Sequence, residues 1–149
     1  KKGFQRCIDL LRDAAFPFER VLLDHGNEET IKITRELGCV SGFSIYPFTK
    51  MDTNRMVAIV KEYGVERMVI NSAADWGVSD PLMVPKTMVK LEQAGLRPAL
   101  IEQLVWGNPV AFFSQGGRLD VARLEHPANI DRRQTFEGNS VLRGQDPDA

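Results

Sequence analysis

His25 and Asp75 stand at the polar ends of two short apolar runs, and a neutral imidazole and a carboxylate are suitable ligands for zinc or a similar divalent ion. Such an ion lowers the pKa of its bound water toward ~7, which makes hydroxide available as a nucleophile near neutral pH. Catalytic zinc takes about three protein ligands plus water, so this pair is an incomplete set. The remaining histidine, His126, lies in a late polar segment far from any strand end and reads as a surface residue. Other roles stay open to both candidates. His25 suits a strand-end polar residue or a helix-entry hydrogen bonder, and Asp75 suits a turn former beside Gly77, with Asp80 as a helix cap. Tyr46, Lys50 and Trp76 also follow strand ends, where side chains line substrate pockets. The competing roles are a core shield for Trp76 and a solvated loop charge for Lys50.

Two other chemistries lack support. Ser44 and Ser72, with Asp75 and His25, suggest a hydroxyl nucleophile, but no Gly-x-Ser-x-Gly elbow surrounds either serine. Gly116-Gly117 lies outside any strand-to-helix turn and lacks the spacing of a phosphate loop.

Three strand-to-helix units must position these residues. Apolar runs over residues 20–25, 39–45 and 67–72 each lead into polar residues and then a helical pattern, as parallel strands covered on both faces do. In such sheets chemistry collects on the loops after the carboxyl ends of the strands, because those loops converge on one crevice. Ahead of the first run, Phe4, Cys7, Ile8, Leu11 and Ala15 recur at helical spacing until Pro17. Asn27 is placed to cap a helix ending at Gly38, Asp52 or Thr53 one that buries Met56, Ile59, Val60 and Tyr63 before Gly64, and Ser79 or Asp80 one that ends at Gly95. Two further helical segments are expected, one opened by Pro98 and one by Asn108-Pro109. From residue 123 onward apolar residues are sparse, so residues 123–149 read as a surface-wrapping or fraying tail, with Phe136, Val141 and Leu142 available to pin it. The units share an architecture, not a repeated sequence.

With 43% hydrophobic and 26% charged residues among 149, the chain has the material for a packed domain. A formal net charge of -1 gives no general attraction to polyanions, so a nucleic acid would need a local basic patch. Cys7 and Cys39 fall on expected buried faces at unrelated spacing, which suggests reduced packing thiols and a cytoplasmic setting. No apolar run approaches the ~20 residues of a membrane span.

The runs Leu23-Asp24-His25-Gly26-Asn27-Glu28-Glu29-Thr30, Gly42-Phe43-Ser44-Ile45-Tyr46-Pro47 and Asn71-Ser72-Ala73-Ala74-Asp75-Trp76-Gly77 together resemble the last three strand ends of TatD-type metal-dependent hydrolases of the amidohydrolase superfamily. Gly107-Asn108-Pro109 before Phe112-Phe113 resembles the closing helix of those barrels. The resemblance covers roughly residues 1–120 and rests on short motifs in the right order. It implies an α/β fold that is part of a (β/α)8 TIM barrel: the last three strand-helix units and closing helices in residues 1–122. It further implies a divalent metal, one or two ions of zinc, manganese or magnesium, with His25 as the sixth-strand ligand and Asp75 as the eighth-strand residue that contacts metal and accepts the proton of the attacking water. The family's His-x-His pair, bridging ligand and fifth-strand histidine have no counterpart here. A whole barrel also takes roughly 250 residues, so the expectation is the carboxyl-terminal part of one.

The function expected on that basis is a fragment or subunit of a hydrolase that activates water to cleave a phosphoester or an amide-like bond in a small molecule or a nucleic acid. Open sheet edges would then be covered by a partner chain or a second copy. The alternative is a non-catalytic α/β domain that binds a small ligand or a protein partner, which would need another strand, for example over residues 118–124.

Overall fold

The computed structural model describes residues 2–46, 51–73, 80–124 and 126. The chain divides into two units, Lys1–Leu119 and Asp120–Ala149.

In the first unit, helix α1 (Lys2–Asp13) buries Ile8 and half-buries Phe4 and Leu11. Cys7 is exposed, contrary to expectation, whereas Cys39 is buried. Neighbouring residues point about 100° apart around a helix, and the narrow packed stripe of α1 is centred on Ile8, so Cys7 falls beside it.

The first strand is shorter than expected: β1 comprises only Leu22–Leu23. Upstream, Arg20 belongs to a 3-10 turn over Phe18–Arg20 whose N–H donates to Pro17 O at 3.0 Å. Downstream, His25 turns into the left-handed region at φ 57°, which ends the ladder. Strands β2 (Val40–Ile45) and β3 (Met68–Ser72) form as expected. All pairing is parallel, in the order β1-β2-β3, with Leu22 opposite Val40, Ser41 opposite Met68 and Ile45 opposite Ser72. The fold is thus mixed α/β around a three-stranded parallel sheet among the described residues.

The crossovers carry the helices that the parallel order requires. Before α2 (Ile31–Leu37), Asn27 Oδ1 accepts from the N–H groups of Glu29 and Thr30 at 2.9 and 3.2 Å, while Thr30 Oγ1 accepts from Asn27 N–H at 2.9 Å. This reciprocal cap closes a turn, so regular helix starts only at Ile31. Gly38 ends it at φ 75°, a conformation glycine adopts without strain.

Helix α3 (Thr53–Tyr63) is capped by Asp52, whose Oδ1 accepts from Asn54 and Arg55 N–H at 2.8 and 2.9 Å. Asp52→Ala is expected to destabilise the chain by about 1 kcal/mol. A lowered urea midpoint at unchanged slope is the check, and an unmoved midpoint would show that water replaces the cap. Helix α4 (Met83–Gln93) follows Asp80, whose Oδ1 accepts from Leu82 N–H at 2.9 Å.

The closing helices depart from expectation in one respect. Helix α5 (Pro98–Glu102) does not end before Asn108-Pro109 but runs through a π-turn, Gln103–Gly107, directly into α6 (Asn108–Ser114). Pro109 has no N–H for Val105 O and its ring crowds that carbonyl, so the preceding turn widens, with Asn108 N–H bonded to Gln103 O. Asn108 Nδ2 meanwhile donates to Val65 O and Met68 O at 2.6 and 2.8 Å, which pins the helix to the amino end of β3.

One core lies between sheet and helices. Phe43, Ile45, Met68 and Ile70 pack with Ile31, Met56, Ile59, Val60, Met83, Leu91, Ile101 and Leu104. Strand alternation sends these four sheet residues to the helix side and leaves Leu22, Val40, Gly42, Ser44, Val69 and Asn71 on the other face.

Within residues 118–124, weighed as an extra strand, Val121–Leu124 of the second unit instead form a single helical turn, α7, with Arg123 3.9 Å from Asp120. The i, i+3 spacing of that ion pair suits a helix and not a strand. No helix among the described residues is long and apolar enough to cross a membrane.

Candidate functional site

The carboxyl ends of the three strands converge on a polar patch built from one residue of each. Asp24 follows β1, Ser44 lies near the end of β2 and Asn71 near the end of β3. Ser44 Oγ donates to Asp24 Oδ1 and Oδ2 at 3.3 and 3.2 Å, and Asn71 Nδ2 approaches the same oxygens at 3.4 and 3.5 Å. Ser44 is buried, Asn71 half-buried and Asp24 exposed.

Gly42 makes this reach across the sheet possible. A Cβ at that position would stand 2.8 Å from Asp24 Oδ1, 2.8 Å from Leu22 Cδ2 and 3.0 Å from Asp24 Cα. The bare Cα leaves a slot in which the carboxylate crosses the middle strand toward Ser44 and Asn71.

The chain next turns sharply. His25 has φ 57°, uncommon for a side-chain-bearing residue, and Gly26 N–H donates to Gly42 O at 2.8 Å. A Cβ on Gly26 would meet that oxygen at 2.8 Å, so the turn needs glycine there. The His25 imidazole is exposed and makes no hydrogen bond to another described residue.

Around the patch, the loops are tied to one another. Arg55, at the start of α3, donates from Nε and Nη2 to the two Glu28 carboxylate oxygens at 2.9 and 2.7 Å. This bidentate pair holds the loop after β1 against the helix after β2. The Arg55 hydrogen bond also holds the Glu28 carboxyl below its usual range. Ser72 Oγ accepts from Val84 N–H at 2.9 Å and serves the entry to α4. At the opposite pole of the sheet, the Arg67 guanidinium bonds Gly38 O, Cys39 O and Glu19 O and staples the amino ends of the strands.

Of the residues expected at the site, His25 and Tyr46 are described, and both follow strand ends. Tyr46 is buried, and its N–H donates to Met51 O at 2.8 Å. Lys50, Asp75 and Trp76 lie outside the described residues. His126 is exposed, in the second unit. Among the described residues no three His, Cys, Asp or Glu side chains converge, so these residues alone do not complete a metal centre.

Sequence reasoning passed over Asp24 and Asn71 and weighed Ser44 only as a nucleophile. The signal was present in the strand alternation: Leu22/Asp24, Gly42/Ser44 and Val69/Asn71 each switch from apolar or small to polar in the same phase, two residues on.

No family model, curated protein or solved structure matches the chain.

Proposed function

We propose that the chain forms the carboxyl-terminal part of a (β/α)8-barrel hydrolase that depends on a divalent metal and cleaves a phosphoester or an amide-like bond. The observation that carries this reading is the parallel order β1-β2-β3 with polar side chains gathered at the carboxyl ends of all three strands, where barrel enzymes hold their chemistry. His25 would hold the metal, and Asp75 would hold it and accept a proton from water. When bound, the ion's contribution is a water of lowered pKa. The other ligands would come from further residues of the barrel, and the described residues do not by themselves complete the set. Tyr46, Lys50 and Trp76 would line the approach of a small-molecule or nucleic-acid substrate.

The test is the zinc and manganese affinity of the whole chain beside the double variant His25→Ala, Asp75→Ala, with circular dichroism to verify folding. Saturable binding that is weak, as two ligands of a larger set dictate, and that the variant loses is the expected result. Binding indifferent to both substitutions, or none, would sink this reading and favour a non-catalytic α/β domain.

A further inference from the structure

We infer that the Asp24–Ser44–Asn71 patch is a binding site for a protonated amine or guanidinium group of an organic ligand. The inference does not rest on the hydrolase reading, because it uses neither the His25 imidazole nor Asp75.

Hydrogen-bond direction is the first argument. Ser44 has a single hydroxyl hydrogen and spends it on Asp24, and Asn71 directs its amide nitrogen to the same carboxylate. What the patch leaves to a ligand is therefore mainly acceptor capacity, the remaining lone pairs of the exposed Asp24 carboxylate, because the hydroxyl hydrogen of buried Ser44 and the amide nitrogen of Asn71 are turned toward it. Ammonium and guanidinium groups carry donors and no acceptor, which is the complement of such a surface. A hydroxyl ligand, donor and acceptor at once, uses it less fully.

Charge is the second. Both donors to Asp24 are neutral, and no Lys, Arg or His among the described residues forms an ion pair with it. Arg55, the cation on the neighbouring helix, is engaged by Glu28, and Arg67 is bound to carbonyls at the far pole. Among the described residues the exposed carboxylate is thus oriented without being neutralised, and such a charge favours a cationic ligand.

Construction is the third. The carboxylate reaches its donors only because Gly42 has no side chain, and the turn after it holds His25 at φ 57°. Strained or close-packed backbone of this kind is found where a side chain must be aimed. A bare metal ion fits less well than an ammonium, because the patch brings one anionic side chain and two neutral oxygens and no cluster of three metal-binding groups.

The experiment is a titration of the full chain, in EDTA, followed by the side-chain amide resonances of Asn71. The probes are n-butylammonium and agmatine, with n-butanol as the neutral control at matched ionic strength. A separate titration without EDTA uses magnesium and zinc. The expected result is a saturable shift with both cations and none with butanol, and an affinity reduced about tenfold or more in Asp24→Asn with the backbone spectrum otherwise retained. Ser44→Ala, which keeps the charge but frees the carboxylate, is expected to weaken binding by a smaller factor. The proposal is overturned by no saturable shift, by equal response to butanol, by indifference to Asp24→Asn, or by a response to metal ions alone. Failure here leaves the metal test of His25 and Asp75 unaffected, since that test is run on different residues with a different ligand.

Discussion

Phe43→Ala is expected to destabilise the chain by about 3–5 kcal/mol, a large share of the roughly 5–15 kcal/mol that holds a typical domain. Phe43 sits on the middle strand with 0% exposure, between the core residues of both neighbouring crossovers. Its ring edge also lies under the turn after β1, since a Cβ on Gly26 would come within 3.1 Å of Phe43 Cε1. Truncation removes the transfer free energy of a benzyl group and leaves a cavity that the surrounding backbone, held by the β3 ladder on one side and by the Gly26 N–H bond to Gly42 O on the other, can close only in part. Urea unfolding followed by circular dichroism reads the effect as a lower midpoint. A loss under 1 kcal/mol would show that this core is loosely packed around the strand.

Gly42→Ala is expected to cost about 1–3 kcal/mol and, in addition, to dismantle the polar patch. The new methyl would stand 2.8 Å from both Asp24 Oδ1 and Leu22 Cδ2. Those are side-chain ends and can swing aside, but Asp24 Cα at 3.0 Å is backbone and moves only if β1 shifts away from β2. Either adjustment carries the carboxylate off Ser44 and Asn71. The measurement pairs the urea midpoint with the Asn71 side-chain resonances. A folded variant with unchanged resonances would mean that the carboxylate does not depend on the slot.

Much of the fold was legible along the chain because its signals are local. Gly38 and Gly64 end helices at positive φ, Asp52 caps with its own carboxylate, and the apolar runs at β2 and β3 hold side chains suited to a sheet buried on both faces. The errors arose where a neighbour in space decided. The strand before His25 shrank to two residues because a 3-10 turn and a left-handed residue bracket it. The closing helix stayed continuous through Asn108-Pro109 because a π-turn absorbed the missing N–H while Asn108 docked on β3. The stretch over residues 118–124 contains a helical turn where an extra strand was weighed.

The site divides along the same line. The sequence by itself determined which residues follow the strands, since alternation and turn chemistry act over a few neighbours, and it singled out His25 because the imidazole is a conspicuous ligand type. Only the tertiary structure decided that Asp24, Ser44 and Asn71 meet. Their separations of 20 and 47 residues along the chain carry no information until the register of three parallel strands is known. The contact also turns on an absence, the missing Cβ of Gly42, whose effect appears only when Asp24 is laid across it.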